Sequence, residues 1–172
     1  MEKNIFETVR RLAWPTYFVA FLLVVISKMD YLSNVWPLRP ADVQWRYGSV
    51  GLLAGFLLTP LLGFLMAMLA AAVLDHRIVL RVLSILGLVT GAVLLLAVPL
   101  FTLDALQLRG TVPSDASSLY DVGVLKAIIK HLTIGVAFGW LGWAGIRASK
   151  GSGRRRRETA PPLARSRREG VG

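Results

Sequence analysis

The sequence predicts an all-α polytopic membrane protein, with about four transmembrane helices in a compact bundle and a disordered basic tail. Three observations predict it. Hydrophobic residues make up 55% of the chain and the mean hydropathy is +0.58, both above the usual range of a soluble domain. The apolar residues fall in long uncharged runs instead of being scattered along amphipathic elements. The basic residues cluster between and beyond those runs, and nine of the 20 Lys and Arg lie after Ile146. The expected division is a membrane unit over 1–149 and a tail over 150–172.

The first helix is expected over about 12–29. Its run from Trp14 to Ser27 is uncharged and follows Arg10 and Arg11. It lies near the lower limit for spanning, roughly 17 residues, and Lys28 can extend it by snorkelling. Pro15 falls in the first turn, where a missing N–H costs little. A basic start before an apolar run is also the pattern of a cleavable signal peptide. The aromatic content of the run and Lys28 just beyond Ser27 favour a retained helix.

The second helix is expected over 48–74, with no charge along its length. At ~1.5 Å per residue it exceeds a ~30 Å hydrocarbon core and should tilt or bend. Thr59-Pro60 marks the bend, because proline removes a backbone hydrogen bond. Asp75-His76-Arg77 then turns the chain into a third helix over 78–103, forming an antiparallel hairpin. The fourth helix, 118–147, opens on Ser118-Leu-Tyr-Asp121, a capping-box pattern. Beyond Lys150 the glycine-, proline- and arginine-rich composition has little to bury, so disorder is expected.

Four crossings place the N-terminus, the 75–77 turn and the C-terminus on one side. Fourteen of the 20 Lys and Arg fall there, and a basic excess marks the cytoplasmic face. Both termini are therefore expected in the cytoplasm, at a plasma membrane of the bacterial inner-membrane kind. The opposite loops span about 30–47 and 104–117. Tyr31, Trp36, Trp45 and Tyr47 suggest that the first of these lies along the headgroups.

Three helices carry a Gly-x-x-x-Gly pair: Gly51 with Gly55, Gly87 with Gly91, and Gly135 with Gly139, the last extended by Gly142. Each pair falls on one helix face and lets backbones approach, within the chain or towards a partner or second copy. His131 shares the Gly135 face, whereas Lys126 and Lys130 point elsewhere as interfacial cations. An inward histidine at membrane depth is a candidate polar site, although a packing hydrogen bond explains it more simply. Asp75 and His76 suit a turn, and Asp104, Asp115 and Asp121 read as solvated outer-loop acids.

No cysteine is present, which excludes disulfides, thiolate metal sites and a thiol nucleophile. No ligand cluster, serine–histidine set or paired intramembrane aspartate suggests an enzyme, a cofactor or a metal. The +10 net charge sits in a tail on an apolar body, so lipid is a better partner than nucleic acid. Arg154, Arg155, Arg156, Arg157, Arg165, Arg167 and Arg168 are expected to hold anionic headgroups, each worth about 1 kcal/mol near the surface. The expected role is non-enzymatic: an accessory, assembly or structural subunit packing through glycine faces. The rival is a small oligomeric transporter or channel with His131 lining its path.

Overall fold

The computed structural model describes the backbone of residues 2–158 and the side chains of 11–149. The tail arginines 154–157, 165, 167 and 168 therefore lie outside the described side chains. Five helices follow in order: α1 Glu2–Val35, α2 Val43–Phe56, α3 Leu58–Val73, α4 Arg77–Arg109 and α5 Ser117–Glu158. No strand occurs among the described residues. Arg11–Val35, Arg77–Arg109 and Ser117–Ser149 are each long and apolar enough to cross a membrane. The bent pair α2 and α3 makes a fourth such unit if the two are one broken span.

The break between α2 and α3 begins earlier than Thr59. The two helices meet at 47° about Leu57. Pro60 has no N–H to give the carbonyl four residues before it, which is that of Phe56. The Ser27 hydroxyl of α1 donates to that carbonyl at 2.9 Å. Proline thus opens the helix at 56–57, and a neighbouring helix supplies the missing donor.

The α3–α4 turn is as tight as expected, and its geometry is a Schellman motif. His76 N–H donates to Ala71 at 2.9 Å, Asp75 N–H to Ala72 at 3.3 Å, and Asp75 adopts a left-handed φ of 53°. Aspartate is among the few non-glycine residues that visit this region readily. At the other end of the molecule α1 continues to Val35, leaving a loop of only 36–42. Asp42 then caps α2, accepting from Gln44 N at 2.8 Å and Trp45 N at 3.4 Å. Trp45 and Tyr47 are consequently helical packing residues and do not belong to a surface loop.

The capping box expected at 118–121 does not form. The helix begins at Ser117, so Ser118 lies inside the first turn, and Asp121 pairs with Arg109 at 2.7 Å. α5 also runs on to Glu158, nine residues into the segment expected to be tail.

The bundle is built around the bent α2/α3 unit. α3 packs against α1, α4 and α5, while α2 meets α1, α4 and α5 near the loop end. α4 and α5 form the most extensive interface, and α1 packs directly on neither of them. Along α4 the buried positions Leu80, Ser84, Gly87, Gly91 and Leu94 alternate steps of four and three. That is the seam of a near-parallel helix pair.

Candidate functional site

Backbone approach along the α4–α5 seam depends on missing side chains. A Cβ on Gly91 would lie 2.7 Å from the Gly135 carbonyl and 2.8 Å from Gly139 N. One on Gly87 would lie 2.8 Å from the Phe64 ring, and one on Gly142 2.5 Å from the Ser84 carbonyl. A Cβ on Gly135 would press Leu95 at 3.1 Å. Gly145 and Gly63, not singled out from the sequence, are equally confined. Gly145 faces the Ser84 hydroxyl and Met68, and Gly63 sits where a Cβ would lie 2.6 Å from the Ala20 carbonyl.

The α2 pair behaves differently from the expectation. Gly55 has open space where its Cβ would be, and Gly51 meets only the Phe101 ring at 3.8 Å. α2 is 14 residues long and turns away at Leu57. Gly51 therefore rests on Phe101 of α4 at ordinary contact distance, and Gly55 on no helix among the described residues.

His131 sits in the seam, 1% exposed, at the loop-end half of α5. Its Nδ1 and the Ala127 carbonyl are 2.9 Å apart, and because a carbonyl only accepts, Nδ1 carries the proton. Nε2 is then an acceptor, and it has no partner. The ring stacks on Phe101, which stacks on Tyr47, which stacks on Tyr120, with centroids 6.4, 5.2 and 5.3 Å apart. The column ends where the Tyr120 hydroxyl donates to the Ala105 carbonyl at 2.7 Å.

Beside this column lies an ion pair that the sequence did not suggest. Asp104 is 7% exposed, not a solvated loop acid. Arg46 Nε donates to its Oδ2 at 3.0 Å and Nη2 to its Oδ1 at 2.8 Å, a two-pronged fork. Arg46 Nη1 also donates to the Pro40 carbonyl at 3.1 Å. α4 continues six residues past its expected end at 103, which carries Asp104 onto the buried side of a helix. A cleft of about 460 Å³ opens beside the pair, lined by Tyr31, Trp45, Ser49, Leu100 and Gln107 among others.

The opposite end carries its own polar fringe. Tyr17 and His76 stack with centroids 6.0 Å apart, and the hydroxyl and Nδ1 share a hydrogen bond of 3.1 Å. Arg77 pairs with Asp75 at 3.2 Å. The Arg147 guanidinium lies 3.7 Å over the Trp143 ring. A larger apolar cleft of about 610 Å³ runs between α1 and α4, with Tyr17 and Lys28 among its few polar lining residues.

The structure thus gathers His131, Gly87, Gly91, Gly135, Gly139 and Gly142 into one internal seam and leaves Gly51 and Gly55 outside it. Among the described residues no group of three or more His, Asp or Glu side chains could hold a metal. No family model, characterised protein or solved structure matches this chain.

Proposed function

We propose that the chain is an integral membrane protein crossing the bilayer about four times, with both termini in the cytoplasm of a bacterial-type plasma membrane. Its role is that of a non-enzymatic accessory or assembly subunit. One observation carries the membrane reading: large apolar side chains cover the outside of the molecule as well as filling its core. His131 and Ser84 are fully buried beside Leu57, Leu94, Phe101 and Phe138. Phe18, Phe21, Val82, Val89, Val93, Leu96 and Val136 are half or more exposed. Such an exterior is far beyond what a soluble monomer tolerates, and small buried residues are how helices associate in lipid.

The polar fringes at the two ends suit the two headgroup zones. The excess of Lys and Arg on the turn end supports its cytoplasmic placement. An accessory role is supported by what remains uncovered. Gly51 is covered only by the Phe101 ring of α4 and Gly55 by nothing among the described residues, so the Gly55 end of this face offers a partner helix close approach. A transporter or channel is less well supported, because the Gly91 position abuts the backbones of Gly135 and Gly139 and His131 lines none of the clefts described above.

Purification in mild detergent, with measurement of mass and co-purifying protein, followed by flux assays in liposomes, tests this role. The expected result is a defined partner complex or oligomer, lost on Gly55→Leu, with no flux. A homo-oligomer whose flux disappears on His131→Ala would establish the transporter reading instead.

A further inference from the structure

Two opposite charges on α1 have no partner within the chain. Lys28 and Asp30 are both exposed, and among the described residues neither side chain makes an ion pair or hydrogen bond. Because α1 runs on to Val35, both lie inside a helix long and apolar enough to cross a membrane. Lys28 is eleven residues beyond Tyr17 and seven short of Val35, about 16 and 10 Å along the axis. Tyr17 is tied to His76 at the turn end, and the Val35 carbonyl accepts from the Trp45 indole at the loop end. Both charges therefore sit within the apolar layer. A lysine can snorkel out of it, whereas aspartate is too short to do so, and charges inside a membrane ordinarily pair with one another.

The two charges face opposite flanks of the helix. At ~100° per residue they are about 200° apart. Ala20 and Ser27, buried against the bundle, lie between them on one side, and Met29, 66% exposed, lies between them on the other. Lys28 lines the cleft between α1 and α4, where it is the one charged residue among those described. α1 packs on α2 and α3 but not on α4, which leaves that cleft as a groove between two walls. The opposite flank carries Leu12, Val19 and Ile26, all exposed, in a row that ends at Asp30. One flank is thus an apolar ridge with an acid, the other an apolar groove with a cation.

Given the membrane-spanning reading, on which this rests, we propose that the Asp30 ridge of one copy docks in the α1–α4 groove of a second copy, pairing Asp30 with Lys28. Every copy enters the bilayer the same way round, so the two groups differ in depth by only about 3 Å, two residues of helix rise. This contact answers both unpartnered charges, whereas an anionic lipid headgroup on Lys28 leaves Asp30 alone. A two-fold pair through α1 would centre on Met29 and hold each charge about 100° from the contact. The contact is therefore head to tail, each copy giving its ridge to one neighbour and its groove to another, and such contacts close into a ring.

The chain has no cysteine, so cysteines placed at Ile26 on the ridge and Val89 on the groove wall can be bridged by a short bis-maleimide in native membranes. With both in one chain, a ladder of dimers, trimers and larger species is expected, and with either alone only monomer. Lys28→Asp and Asp30→Lys should each weaken the ladder at least about tenfold, the effect of leaving one charge of a desolvated pair alone. Co-expression of the two variants should restore it, because each groove then meets a ridge of opposite sign. The exchange of both residues within one chain should restore it too.

A ladder indifferent to either reversal, or restored by neither co-expression nor the exchange, would overturn the proposal. So would cross-linked dimers formed through Met29→Cys alone. Alkaline extraction of the same membranes reports on integration separately. An integrated protein without a ladder defeats the head-to-tail contact alone, whereas extraction of the protein defeats the membrane reading itself. Gly55 lines no part of the groove, so the effect of Gly55→Leu on a partner complex is read independently of the ladder.

Discussion

At Phe56 the chain loses one hydrogen bond to Pro60 and gains one from Ser27. Ser27→Ala leaves that carbonyl without its donor and should cost about 1 kcal/mol, the usual scale of such bonds in water and in membranes. Pro60→Ala restores an N–H within the helix, so the loss on Ser27→Ala should be much smaller in that background. Thermal unfolding of the four proteins in detergent measures the coupling. His131 poses the reverse case, since its Nε2 is buried without a partner. His131→Phe keeps the stack on Phe101 and removes the unsatisfied acceptor, so stability should stay within about 1 kcal/mol of the parent or rise. A loss well above that would mean that Nε2 has a partner in the membrane.

Helices show which features of the sequence carried the fold. Uncharged runs located the four apolar stretches, because span length and charge exclusion are local properties, but the stretch expected as one helix over 48–74 is the two helices α2 and α3. The ends were less legible. α4 was expected to end at 103 and reaches Arg109, because Asp104, Arg109 and their partners Arg46 and Asp121 neutralise one another only once the chain is folded. Gly87, Gly91, Gly135 and Gly142 stood out by spacing, but spacing could not tell which faces meet. Gly63 was signalled only by Ala67 one turn later, and Gly145 by Gly142 three residues before it. In the α2 pair Gly51 met only the Phe101 ring of α4 and Gly55 met nothing. Gly91→Ala should therefore destabilise the bundle by about 1–3 kcal/mol through overpacking. Gly55→Ala, in open space, should be neutral or stabilise by up to about 1 kcal/mol through helix propensity. Denaturation of the two variants side by side separates seam from surface. Asp104→Asn should also lower the melting temperature, and an Arg46→Leu, Asp104→Leu double variant should recover part of that loss, because no buried charge is then left alone.

As a whole, the molecule keeps an apolar core, with Ser84 and His131 buried in it, and adds an exterior of leucine and valine. Residue pattern makes that apolar exterior legible, whereas the partner and the occupant of the clefts depend on surfaces that no single helix defines. The absence of cysteine makes its topology directly measurable. Single cysteines placed at Leu38, His76, Ser114 and Ser152 can be probed in intact cells with a membrane-impermeant maleimide, before and after permeabilisation. The account predicts that positions 38 and 114 react from outside, and that 76 and 152 react only once the membrane is opened. Reaction at 76 and 152 in intact cells, or equal reaction at all four positions, would contradict it.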